Sequence, residues 1–333
     1  MQRLAGIQYL RAVAASAVIV FHVLARYQVE FAPGRAGVDL FFVISGFLMI
    51  VITRDARSPA GFLRARIERV VPLYWIATTA LLLLERAGHM QQAPIVWVLQ
   101  SYLFIPAVAP NGGIYPPLGP GWTLNLEAAF YVLVAVLILL IRSQQGRVLA
   151  ICILLAGAAS VRLFTVPAGA PLLRYTDPII VEFAFGACVG LAWLQVDRWH
   201  WLCGWPAAIV GVALLSTLPF ISGVPRVRPL IFGLPCLLIL IAALWAEREG
   251  RFPRYRVVEW IGDASYSLYL WHTIIIAVFF RLNQILGLPR TADLAITMAA
   301  AFVGPALAYV AIEQPLLRWL RERRHGRVAV RRA

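Results

Sequence analysis

Two ionisable residues, Arg11 and His22, stand inside the first apolar stretch of a 333-residue chain, eleven positions apart. At 3.6 residues per turn that spacing returns both side chains to nearly one helical face, roughly 16 Å apart along the axis. An arginine at membrane depth is costly, so it either snorkels toward an interface or faces protein or a wet cavity. In the second case Arg11 and His22 form one polar seam with a titratable imidazole at its outer end. Histidine is the side chain whose ordinary pKa suits a general base near neutral pH. Asp39 opens the next apolar stretch, in Gly37-Val38-Asp39. It can cap that helix, or orient His22 and balance its charge.

Arg66 and Arg69, at i and i+3, are neighbours on a helical surface. Paired guanidinium groups suit a phosphate-bearing ligand; they are also what a stop signal facing lipid phosphates looks like. Glu127 and Tyr131 are i and i+4 in a segment that opens with Trp122. A carboxylate there needs a partner, with His22 or an arginine the candidates. Tyr269 and His272, at i and i+3, can share a site, and His272 is the other histidine within an apolar stretch. His89, His200 and His325 fall in loops or the tail, and Glu313 closes the last stretch.

The elements that must position these groups follow from composition. The chain is 61% hydrophobic and 14% charged, with no lysine. A soluble fold of this length has no interior for so much apolar surface, whereas a bilayer supplies one. The absence of lysine excludes a P-loop, a Schiff-base lysine and a Ser-Lys dyad. The net charge of +14 comes from arginines between apolar runs, without a basic face interleaved with aromatics, so membrane topology explains it and nucleic acid is not a partner. Cys152, Cys188, Cys203 and Cys236 stand singly as packing residues, and no metal spacing appears.

Ten candidate spans cover residues 7–24, 38–52, 72–84, 124–141, 148–164, 179–194, 205–221, 229–245, 261–282 and 294–316. Residues 95–105 are too short to cross and are interfacial or re-entrant. Pro72 sets a new direction into the membrane. With a cytoplasmic N-terminus, twenty arginines fall on the inner side and nine outside, the outer pair Arg226 and Arg228 going against the rule. The expected fold is all-α: a polytopic membrane protein of about ten transmembrane helices with both termini cytoplasmic. Residues 1–333 form a single transmembrane domain, 317–333 a basic cytoplasmic tail, and no soluble domain is appended.

Five segments, in order, resemble the acyltransferase-3 family of integral-membrane O-acyltransferases. They are the Arg11-x10-His22 spacing, GVDLFFVISGFL at 37–48, RIERVVPLYW at 66–75, WTLNLEAAFY at 122–131 and SYSLYLWH at 265–272. The family's usual WSLxxE is WTLNLE here, a mild change at Thr123. The length is most similar to that of members that acetylate exopolysaccharide and O-antigen. The resemblance implies no permanently bound cofactor, acetyl-CoA or another acyl-CoA as co-substrate, and a carbohydrate or lipid-linked saccharide hydroxyl as acceptor, at the bacterial inner membrane. Polysaccharide-assembly proteins are further partners on this reading. It maps the family's important arginine and histidine onto Arg11 and His22, and its paired arginines onto Arg66 and Arg69. His22 is then the base, with Asp39 or Glu127 orienting it. The alternatives are a transporter or flippase for a glycolipid or small anion, which would carry similar intramembrane charges, and a structural subunit of a polysaccharide assembly complex.

Overall fold

A computed structural model describes residues 4–54, 58–88, 93–165, 167–221 and 227–330. His89, Arg3, Arg57, Arg226, Arg331, Arg332 and the side chain of His325 lie outside them. Among the described residues the regular structure is helical: α1 Ala5–Arg26, α2 Ala36–Ile52, α3 Pro59–Ala87, α4 Ile95–Tyr102, α5 Gly121–Leu140, α6 Gln144–Phe164 and α7 Ala170–Tyr175. There follow α8 Val181–Gln195, α9 Trp205–Ile221, α10 Leu234–Arg248, α11 Arg256–Leu286, α12 Arg290–Ala308 and α13 Gln314–Val330. Nine helical segments among the described residues are long and apolar enough to cross a membrane. The tenth expected span is α9, a shorter apolar helix. The eight-residue α4 is too short to cross.

Local chemistry sets several boundaries. Ser58 accepts the Gly61 N–H at 3.1 Å and Pro59 fills the first position of α3. Ser143 caps α6 in the same way. Pro72 lies inside a continuous 29-residue α3, so the helix begins well before the expected span. Membrane helices tolerate an internal proline, and nearby the Tyr266 hydroxyl of α11 donates to the Val70 carbonyl at 2.7 Å, tying the two helices together.

α1 is central, packing on α2, α10, α11 and α12, while α2 lies along α8. Both seams depend on missing side chains. A methyl at Gly186 of α8 would collide with the Val43 carbonyl of α2, and one at Gly46 with the Phe183 carbonyl of α8. A methyl at Gly262 of α11 would strike the Gln8 carbonyl of α1. Lipid tails are as apolar as the helix faces, so close backbone approach supplies the cohesion. The outward surface stays greasy: Leu139 is 72% exposed and Phe164 83%.

Candidate active site

A cavity of about 330 Å3 runs along α2, from Ile52 to Val38, and is closed by α1, α3, α5 and α11. Arg11, Arg66, Arg69, Glu127, Tyr131 and Tyr269 all line it. Arg66 Nε is buried with no hydrogen-bond partner, a charged donor open to an incoming acceptor. Arg11 bonds to Gln8 Oε1 at 3.4 Å and feels Arg69, Glu313, Asp263 and Glu127 as its neighbouring charges. The cavity therefore brings together three cations and one carboxylate from three helices.

Glu127 finds its partners locally. Tyr131, one turn on, donates its hydroxyl to Oε1, and Ser45 of α2 donates at 3.3 Å. Glu127 thus belongs to the cavity wall and is not hydrogen-bonded to His22. At the Val38 end of the cavity, the Tyr269 hydroxyl lies 2.9 Å from Thr123 Oγ1 and donates to Pro120 O at 3.3 Å. Tyr269 and Phe41, edge to face at 5.7 Å between ring centroids, form that end.

His22 lies elsewhere. It lines a second cavity of about 500 Å3, between the end of α1 and the last turns of α11, which shares no lining residue with the first. The seam from Arg11 to His22 is interrupted by buried Ala15, Val18 and Ile19. In place of a carboxylate, His22 meets a second imidazole: its Nδ1 is 3.3 Å from His272 Nε2 and 2.9 Å from the Val18 carbonyl. His272 Nδ1 lies 3.0 Å from Leu268 O. A carbonyl only accepts, so both Nδ1 atoms carry protons. The lone pair of His272 Nε2 then faces the His22 Nδ1–H, and His22 Nε2 is the free base.

Tyr269 and His272 sit on one helix, with ring centroids 6.1 Å apart, but serve different surroundings. Tyr269 walls the first cavity, and fully buried His272 backs His22.

Asp39 corrects both of its expected roles. Its fully buried carboxylate takes a two-pronged pair from Arg228, at 2.9 and 2.7 Å, and neither faces His22 nor closes the helix end. This also gives Arg228, which runs against the expected arginine bias, a structural role: it pairs with Asp39. Trp122 lies under the Arg174 guanidinium, 4.8 Å from its ring centroid, at the start of α5. The reading from residues missed three pairings: His22–His272, Asp39–Arg228, and Ser267 donating to Glu313 at 2.6 Å. The one available signal was that His22 and His272 are the two histidines in apolar stretches.

The acyltransferase-3 family profile, described as an acyltransferase domain, matches residues 4–312. The chain belongs to the acyltransferase-3 family. The exopolysaccharide production protein ExoZ of Rhizobium meliloti (strain 1021) is 36% identical over 318 residues, 92% of this chain and 96% of its own. The acyltransferase MdmB of Streptomyces mycarofaciens is 27% identical over 87% of this chain and 83% of its own. The peptidoglycan O-acetyltransferase OatA of Listeria monocytogenes is 24% identical over 93% of this chain but 55% of its own. No solved structure matches. Membership decides between the readings left open by the residues: this multi-pass membrane protein is an acyltransferase.

Proposed function

We propose that the protein moves an acyl group, acetyl first among candidates, from acyl-CoA to a hydroxyl of a cell-surface polysaccharide or its lipid-linked precursor at the bacterial inner membrane. The observation that carries this reading is the arrangement of two cavities on either side of the Tyr269–His272 turn. One is narrow, cationic and elongated; the other is open beside a histidine whose Nε2 is unprotonated. The relatives named for exopolysaccharide production and O-acetylation support the substrate class.

Arg66 and Arg69 would hold the donor's phosphates, and the thin pantetheine arm would extend along α2 toward Tyr269. The arginine distribution, with its inner excess, supports both termini being cytoplasmic and the donor entering from that side. His22 Nε2 would take the proton of the acceptor hydroxyl as its oxygen attacks the thioester carbonyl. Collapse of the tetrahedral intermediate would break the C–S bond, and the imidazolium would return the proton to the departing thiolate. His272 would hold His22 in the required tautomer and accept from its Nδ1–H throughout. Arg11 would stabilise negative charge within the donor cavity.

Purified protein in liposomes, given labelled acetyl-CoA and glycolipids of the producing strain, should yield a glycan heavier by one acetyl unit. Failure to label any hydroxyl with acetyl-CoA or longer acyl-CoA donors would overturn the proposal.

A further inference from the structure

We infer that the cleft beside His22 is the acceptor site and that it selects a saccharide bearing negative charge near the acylated hydroxyl. This rests on the acyl-transfer reading and deepens it. The cleft lies where α1 ends while α11 continues: His22, Ala25 and Arg26 form one wall. Thr273, Ala277, Phe280, Arg281 and Gln284 form the other, spaced to share one face of α11. Its volume of about 500 Å3 falls within the roughly 300–1,000 Å3 of small-molecule sites. Ala25 and Ala277 leave room beside the imidazole, and the Thr273 hydroxyl is buried with no hydrogen-bond partner. The floor thus offers a base and an unused polar group.

The mouth offers charge. Arg26 lies flat on the Phe280 ring, 3.3 Å from its centroid, which fixes a long side chain over the opening. Arg281 stands one position further along α11, beside Gly88 and near Glu85 of α3. Glu85 offsets part of its charge, and the two guanidinium groups still leave the mouth net positive. Among the described residues no carboxylate lines the cleft. Guanidinium groups with planar donor forks fit carboxylate or phosphate, so the charge recognised is either an acidic sugar or the pyrophosphate of a lipid carrier.

Protection of His22 from diethyl pyrocarbonate, read by peptide mass spectrometry on full-length protein in phosphatidylcholine vesicles, tests this. The probes are trigalacturonate, farnesyl pyrophosphate and neutral maltotriose. At least one anionic probe should protect at concentrations tenfold or more below maltotriose, and the successful one identifies whether sugar or carrier bears the charge. Arg26→Gln with Arg281→Gln should erase that advantage, whereas Arg26→Lys with Arg281→Lys should keep most of it. In the unsubstituted protein, anionic protection should weaken as salt rises from about 0.05 to 0.5 M, which holds even if the Gln variant fails to fold. Equal protection by all three probes, protection by none, or an anionic advantage surviving the Gln substitutions or high salt would overturn the inference. No acyl donor is present, so such a failure leaves acyl transfer by His22 standing. Conversely, undiminished turnover by His22→Gln removes that reading whatever the probes do.

Discussion

If His22 is the base proposed above, the main chain decides which of its nitrogens takes the proton. The Val18 and Leu268 carbonyls pin protons on both Nδ1 atoms, so the His22–His272 contact has a defined direction. Neutral His272 holds His22 without adding a second charge to the cleft, a task commonly given to a carboxylate. His272→Ala should lower kcat about 10–100-fold while leaving donor KM within twofold, and His272→Gln, which restores an acceptor, should recover part of the loss. An equal loss in KM would mean that His272 acts on donor binding. Asp39 is a different case. Asp39→Asn should destabilise the fold by about 1–3 kcal/mol, since it removes the carboxylate paired with Arg228 and leaves buried Glu182 to offset the guanidinium. Thermal unfolding in detergent reads this, and folded Asp39→Asn protein should bind donor normally. The Glu127–Tyr131 pair was legible in the sequence because helical periodicity alone brings i and i+4 together. The partners of Asp39 and His22 were not, because they come from 189 and 250 positions away and any buried ion satisfies the same electrostatic demand.

Helices were the most legible level. Each expected span coincides with a helix, because a run of about 20 apolar residues in lipid must satisfy its own backbone. The third span was expected to start at Pro72, yet α3 runs through it, because a proline that would break a soluble helix is accepted where neighbouring helices compensate. How the helices press together was visible only as small residues. That Gly46 of α2 meets the Phe183 carbonyl, and Gly186 of α8 the Val43 carbonyl, required the structure. Gly186→Ala should therefore cost about 1–3 kcal/mol by overpacking and shift α2, which lines more of the first cavity than any other helix. Thermal stability and donor KM should worsen together. A variant with unchanged stability would show that the seam yields easily. A short π-helical turn at Tyr309–Glu313 similarly sets Glu313 against Ser267 near Arg11.

Across the whole molecule the account rests on two spaces that meet at one turn of α11. The donor side predicts that Arg66→Ala with Arg69→Ala raises the acyl-CoA dissociation constant by at least tenfold, since each charge-assisted bond contributes about 1.5–3 kcal/mol. Isothermal titration would detect it, and unchanged affinity would remove their phosphate role. Topology can be read with a membrane-impermeant maleimide on intact cells of a cysteine-free variant. Arg35→Cys should label from outside, and Arg318→Cys only after permeabilisation; the reverse pattern would place the donor cavity on the wrong side. The central claim is that His22 performs the proton transfer while the donor binds in a separate cavity. The most direct measurement is single-turnover acyl transfer by His22→Gln in liposomes, paired with acyl-CoA binding to the same preparation. The account predicts binding within twofold of the unsubstituted protein and transfer slower by about 10²–10⁴-fold. Transfer at the unsubstituted rate with the donor bound normally would contradict it.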